Sequence, residues 1–447
     1  MNKRYTVEEV ASKLKVSKRT ILREIAKGKL TTEKVGRRYL ISEKNLKNYL
    51  RKDDKNIEKN LKNFLQGKKS EMVDLLQNMV SMASVGYGSG HELALAKFIK
   101  RTLDDFGIRN SLHKDGKVVV VRGSFGYADE GIMLDCPIDT TPVGDEKKWK
   151  YPPFEGIIKG GRMYGRGTAD AKAGIVAMIY TVLALKKYID EEKVRVELVF
   201  DGSEQDGSYL GMQLAIKKGL PVNAGIVGYA GDWDELPIGA RGYHRFEFKT
   251  QGKAAHTGAR FTVGVNAITK MINFISEIEK QKLPTISSKY FEFGQRLTFA
   301  SIAGGRAINI VPDECKARLD VRTLPDMKKA NVVSLIEENI KKLESKDNEF
   351  KIKLSYITGR EGYLLGSKEK IINVVRKSVT ELKKVQPKLA ATGPSHIGAM
   401  LYEYKVPVVL WGPRGGNAHS YDEYIEIESL PETSQIYAKS ILKYFDI

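Results

Sequence analysis

Cysteine is nearly absent: Cys136 and Cys315 are the two in a chain of 447 residues. They stand far apart with no CxxC spacing, which excludes a disulfide framework. No apolar run reaches the roughly 18 residues a bilayer-spanning helix needs, so no membrane partner is expected. The opening MNKRYTVEEV has no apolar stretch of the kind a secretory leader carries. These absences together lead us to expect a cytoplasmic protein. Acidic residues are also in short supply, 55 against 74 Lys and Arg, for a net charge of +19. The shortage is local. Residues 1–50 hold 14 Lys and Arg, 5 Glu and no Asp, a net +9. Such a concentrated basic module points to a polyanion, most often nucleic acid.

The basic module also has a pattern. In YTVEEVASKLKVSKRTILREIAKGKL, Thr6 is placed to cap a first helix, with Glu9 completing a capping box. Ser17 caps a second helix with Ile21, Ile25 and Leu30 as its apolar face. That helix would expose Lys18, Arg19, Thr20 and Arg23 near its start, where a recognition helix enters the major groove. TTEKVGRRYLIS predicts two short strands around Gly36, with Arg37 and Arg38 at the tip for phosphate or minor-groove contact. EKNLKNYL predicts a third short helix. The stretch resembles the excisionase-like, winged branch of helix-turn-helix domains, which implies double-stranded DNA as partner. A linker is expected at 51–57, with the next domain opening at 58.

Beyond it, buried runs such as GIMLDCP and VRVELVF alternate with amphipathic helices such as ELALAKFIKRTLDDFG, predicting an α/β domain with a largely parallel sheet. Between 241 and 357 alternating strands with two helices among them predict an inserted α+β domain. The expected class is therefore α/β: a winged helix-turn-helix over 1–50, an α/β domain over 58–240 and 358–447, and an inserted lid over 241–357.

Five ordered blocks carry a second resemblance: IDTTPVGD through GRGTADAKAGI, VFDGSEQDGS, GKAAHTGARFTVGVNAI, INIVPDECKARLDVRTLP and GPRGGNAHSYDEYIEI. They resemble the zinc-dependent acetylornithine deacetylase, succinyl-diaminopimelate desuccinylase and carboxypeptidase family. The resemblance implies a two-zinc amidohydrolase with a lid that makes a homodimer. It implies Asp139 as the acid behind a ligand histidine, Asp170 as bridging ligand, Glu204 as general base and His419 as a ligand. His256 would reach across the dimer, and Asn309 and Arg322 would hold the substrate's polar groups. Three ligand positions depart from the pattern: Pro137, Gln205 and Tyr229 stand where the family has His, Glu and an acid. One zinc would keep Asp170 alone, the other Asp170 and His419, whereas a catalytic zinc takes three protein ligands. No cofactor is therefore expected. The reading is a DNA-binding regulator, a homodimer through the lid, whose metallohydrolase-like pseudoenzyme domain binds a small carboxylate ligand. The alternative is an active zinc amidohydrolase or peptidase with a rebuilt or mononuclear site.

Overall fold

The first module folds as its caps dictate. The Thr6 N–H donates to Glu9 Oε2 at 2.7 Å and the Glu9 N–H returns to Thr6 Oγ1 at 3.2 Å, opening the helix Val7–Lys13. Ser17 Oγ accepts from the Thr20 N–H at 3.1 Å, opening the helix Lys18–Ala26. Tyr5, Val10, Ile21, Leu30, Ile41 and Leu46 close a small core between these helices and a sheet. That sheet has three strands: Arg4–Thr6, Arg38–Ser42 and Glu33–Val35, with Arg38–Ser42 central. The sequence reading found the hairpin but not Arg4–Thr6, which is too short to show alternation. The chain is described from a computed structural model that covers residues 4–447 except 15, 37, 87–89, 262, 282 and 284–287; the side chains of 47, 48 and 50–55 are also left aside.

The expected linker at 51–57 is corrected. One helix, Glu43–Gly67, runs through it, because no Gly or Pro interrupts the chain before Gly67. The third helix of the basic module is thus the first part of a longer one. Its last turns bury Leu61 and Leu65 against the helices Ala173–Tyr188 and Ser429–Tyr444.

The central sheet has six strands in the order Val408–Leu410, Ala224–Val227, Ile132–Pro137, Arg195–Asp201, Val118–Gly126, Arg109–Asp115. The first four are parallel. The last two are antiparallel, since a tight turn at Gly116 joins them as a hairpin where a crossover would have been needed. The segment Thr168–Tyr188 is long and apolar enough to cross a membrane, but 89% of its apolar window is buried under this sheet as a core helix.

The lid is a four-stranded antiparallel sheet, ordered Arg296–Gly304, Glu314–Thr323, Gly242–Gln251, Lys351–Arg360. Phe246, Phe248, Leu319 and Val321 face the helices Ala267–Glu279 and Lys329–Lys346. By the two-residue period of a strand, Tyr243, Arg245, Asp320 and Arg322 share the opposite face. The chain enters and leaves the lid at Gly242 and Gly362, whose backbones lie so close that a Cβ on Gly242 would sit 2.5 Å from the Gly362 nitrogen.

If the helix Glu43–Gly67 is anchored by its last turns, Leu65→Ala should cost about 2–5 kcal/mol through the cavity it leaves. Urea unfolding of the full chain measures this. An unchanged midpoint would mean that the helix does not dock as described.

Candidate functional site

The parallel strands end on one side of the sheet, where an α/β fold gathers its ligands. A cleft of about 1140 Å³ opens there, between the strand ends and the lid. The turn after Arg195–Asp201 supplies Glu204 and Gln205, the chain after Ala224–Val227 supplies Tyr229, the segment before the core helix supplies Asp170, and a C-terminal loop supplies His419. Arg322 and Arg245 enter from the lid.

At the bottom of the cleft the polar groups pair with one another. The Tyr229 hydroxyl donates to Glu204 Oε1 at 2.7 Å. Gln205 Nε2 approaches both Asp170 carboxylate oxygens at 3.4 Å, a long contact for a hydrogen bond. His419 Nε2 lies 2.6 Å from Asp170 Oδ2, and that hydrogen bond holds its imidazole above the usual histidine range. Glu204 is pushed well above the carboxylate range, first by the protein packed around it, then by the charges of Asp170 and Asp139; the Tyr229 hydroxyl works in the other direction.

Asp139 has a different task from the one its motif implies. It is fully buried and accepts the backbone N–H groups of Glu204, at 3.1 Å to each oxygen, and of Gln205 at 3.0 Å. With Pro137 in place of a histidine, this acid pins the 204–205 turn. Burial still pushes it up to about 7. The Cys136 thiol turns to the other side of its strand, to the Ala171 carbonyl at 3.0 Å.

His256 and Asn309 are not in this cleft. Both are exposed on the lid, where the strand-like contact of His256 with Ile310 and the Thr257 N–H to Asn309 carbonyl bond hold the two loops together. Arg322 is in the cleft, bonded to Asp320 through Nε at 2.7 Å. In the basic module Lys18, Arg19, Arg23 and Arg38 are exposed. Lys18 pairs with Glu8, and the Thr20 hydroxyl is taken up by Ser17 at 2.9 Å. Arg37 lies outside the described residues.

The sequence reading missed Glu423 and the pair Asp135–Asp201. Glu423 is fully buried; it accepts the N–H groups of Ala169 at 2.8 Å and Asp170 at 2.9 Å and pairs with Arg166 at 2.5 Å, fixing the loop that presents Asp170. It lies inside the quoted C-terminal block with no spacing to single it out. Asp135 and Asp201 lie near the ends of neighbouring parallel strands, fully buried, with the charge of Asp135 acting on Asp201. Both sit in runs that read as plain apolar strand.

The residues 133–443 match the family model "Peptidase family M20/M25/M40". The chain belongs to this family. Residues 4–54 match a helix-turn-helix domain model. The chain is 25% identical over 407 residues to an uncharacterized metallohydrolase of Methanocaldococcus jannaschii, covering 82% of this chain and 98% of the relative. It is 25% identical over 423 residues to a probable succinyl-diaminopimelate desuccinylase of Staphylococcus aureus, covering 84% and 98%. Among solved structures it is similar to an M20 metallo-carboxypeptidase of Sulfolobus solfataricus, with a TM-score of 0.70, 18% identity and coverage of 84% of this chain and 100% of that one. It is also similar to a dinuclear metal-binding M20 peptidase of Bacillus subtilis, with a TM-score of 0.65, 16% identity and coverage of 84% and 98%.

The M20 fold implies metal, and the donors here do not fit a pair of zinc ions. Among the described residues no three His, Cys, Asp or Glu side chains gather as a metal-holding group. Gln205 and Tyr229 bring no negative charge, and both are turned onto the acids that remain.

The buried acid pair gives a pH prediction. Burial first, and then neighbouring acids, raise Asp135 and Asp201 well above the usual carboxylate range. A raised folded-state value means that stability is full below the unfolded carboxylate range and is lost as pH rises through the folded values. Melting temperature should therefore fall as pH rises above the ordinary carboxylate range, and Asp201→Asn should flatten that fall. Parallel slopes for wild type and Asp201→Asn would contradict the assignment.

Proposed function

We propose that the chain is a DNA-binding transcriptional regulator whose M20 domain binds a small carboxylate ligand, an amino acid, acylated amino acid or short peptide, without hydrolysing it. The observation that carries the reading is the Tyr229 hydroxyl on Glu204. A general base for amide hydrolysis has to face a water that a metal polarises. Here a phenol stands at a former ligand position and occupies that carboxylate. The fused helix-turn-helix supplies the other half of the argument, with exposed Arg19, Arg23 and Arg38 on its basic surface. Pairing through the lid would place two such modules for a palindromic operator, and would bring His256 and Asn309 to the partner subunit's cleft.

A second reading keeps hydrolysis. The retained Asp170–His419 pair at 2.6 Å favours it, as residual ligands of a mononuclear zinc with Glu204 as base. Metal analysis separates the two. The regulator reading expects far less than one tightly held zinc per chain and no cleavage of N-acetyl amino acids or dipeptides. Pro137→His with Gln205→Glu and Tyr229→Glu should raise zinc affinity, and Pro137→His alone should not. Stoichiometric zinc with chelator-sensitive hydrolysis in the wild type would establish the second reading.

The DNA arm is tested separately. The full chain should bind duplex DNA with affinity that falls steeply with salt. Arg19→Ala should weaken binding and relax sequence preference, with a loss of about 1–3 kcal/mol if it reaches a base edge. Arg38→Ala should weaken all sequences alike. DNA affinity that survives deletion of residues 1–50 would refute this assignment.

A further inference from the structure

The lid wall of the cleft carries a group of side chains of which the sequence motifs assign Arg322 alone. Arg245 and Arg322 stand on neighbouring strands, Arg245 opposite Asp320 and Arg322 opposite Tyr243. All four share one face of the lid sheet, and three of them, Tyr243, Arg245 and Arg322, line the cleft. Asp320 binds both guanidiniums along one edge. Its Oδ1 accepts Arg322 Nε at 2.7 Å, and its Oδ2 accepts Arg245 Nε at 3.1 Å and Arg322 Nη2 at 3.4 Å. The Tyr243 ring lies between them, 4.9 Å from the Arg245 guanidinium carbon and 5.7 Å from that of Arg322. Tyr243 is itself buried, and its hydroxyl donates to the Gly207 carbonyl at 3.3 Å on the turn that carries Glu204.

What this leaves free decides the chemistry. A guanidinium has five N–H donors in a rigid fork. Asp320 and Tyr243 fix the Nε edge of Arg245 and its ring face, while both of its Nη groups keep their donors. Arg322 keeps Nη1. One carboxylate serves two cations, so the trio retains a net positive charge facing the cleft.

We propose that Arg245 and Arg322 form a two-guanidinium clamp for a single ligand carboxylate, with Asp320 as the positioning residue that sets the angle between them. This rests on the carboxylate-ligand reading above and adds Arg245 and Asp320 to it. The alternative role for Asp320, an internal competitor that occupies the clamp until ligand displaces it, predicts the opposite effect of its removal.

The experiment is calorimetric titration of the full chain with a panel of N-acetyl amino acids, each run beside its C-terminal amide. Arg245→Gln, Arg322→Gln and Asp320→Asn are compared with wild type. Arg245 is exposed enough, at 44% of its side chain, for the substitution to leave the fold intact, and a melting curve checks this. The clamp expects the acids to bind and the amides to bind far more weakly. Each Arg→Gln should lose roughly tenfold or more for the acids and little for the amides. Asp320→Asn should weaken the acids several-fold and narrow the acid-to-amide preference, which a merely structural role would leave alone. Arg245→Gln that binds as wild type while Arg322→Gln does not overturns the clamp and leaves the carboxylate reading standing. Equal binding of acids and amides by all variants, or no binding of any acid to wild type, overturns both. Tighter binding by Asp320→Asn overturns the positioning role.

Discussion

A carboxylate packed in protein must find a donor, a cation or a proton, and Glu204 finds the Tyr229 hydroxyl. The rest of the site is arranged around the same constraint. Five acids converge below the strand ends: Asp135, Asp139, Asp170, Asp201 and Glu204. In a two-metal hydrolase such a cluster is held together by the charge of the ions. Here each acid is answered locally. Asp139 takes two backbone N–H groups, Asp170 takes His419, Glu204 takes a phenol, and burial beside other acids holds Asp135 and Asp201 toward the protonated form. The substitutions at 205 and 229 fit this accounting. On the proposed reading, each replaces a negative charge with a neutral donor, which is the change a site without two divalent cations requires.

The neighbouring acids then explain why the cleft keeps its shape. Glu423 cross-links Arg166 to the backbone at Ala169 and Asp170, so the loop presenting Asp170 is held from behind as well as by His419 in the cleft. Lys172, fully buried, donates to the carbonyls of Met79 at 3.0 Å and Met82 at 2.9 Å and ties the same segment to the end of the helix Lys69–Ser81. A site supported this way can lose its original ligand without collapsing. That is the physical condition for an M20 domain to change its task while keeping its fold.

Much of this was legible in the sequence, and the reasons differ by level. The caps at Thr6 and Ser17, the apolar runs of the central sheet and the alternation in the lid are local signals, and the structure follows them. The helix through 51–57 was misjudged because charge was taken for a linker, although no residue there breaks a helix. The ordered family blocks located Asp170, Glu204, Gln205, Tyr229, Arg322 and His419, which do meet in one cleft. They could not reveal the changed task of Asp139, because that depends on which backbone groups the fold brings to it. Nor could they reveal Asp320 between two arginines, since Arg245 lies 75 positions away in the chain and meets Asp320 only through strand register.

The arrangement also limits how the two halves of the protein can communicate. A ligand shifts an equilibrium only by its differential affinity for the two states. In this fold the guanidiniums belong to the lid, while Glu204, Tyr229 and Asp170 belong to the base. The lid joins the base at the close crossing of Gly242 and Gly362 and touches the turn that carries Glu204 through Tyr243 and Gly207. On the proposed reading, a molecule that engages both walls binds better when the lid is closed. One that engages the base alone leaves the lid unbiased however tightly it binds. The size of any such coupling is about 1–3 kcal/mol in allosteric proteins generally. The helix Glu43–Gly67 is seated on the base through Leu61 and Leu65. The spacing of two DNA-binding modules would therefore follow lid movement only if the lids make the dimer. The ligand, the lid and the dimer contact thus stand or fall as one mechanism, whereas DNA binding by the first module requires none of them.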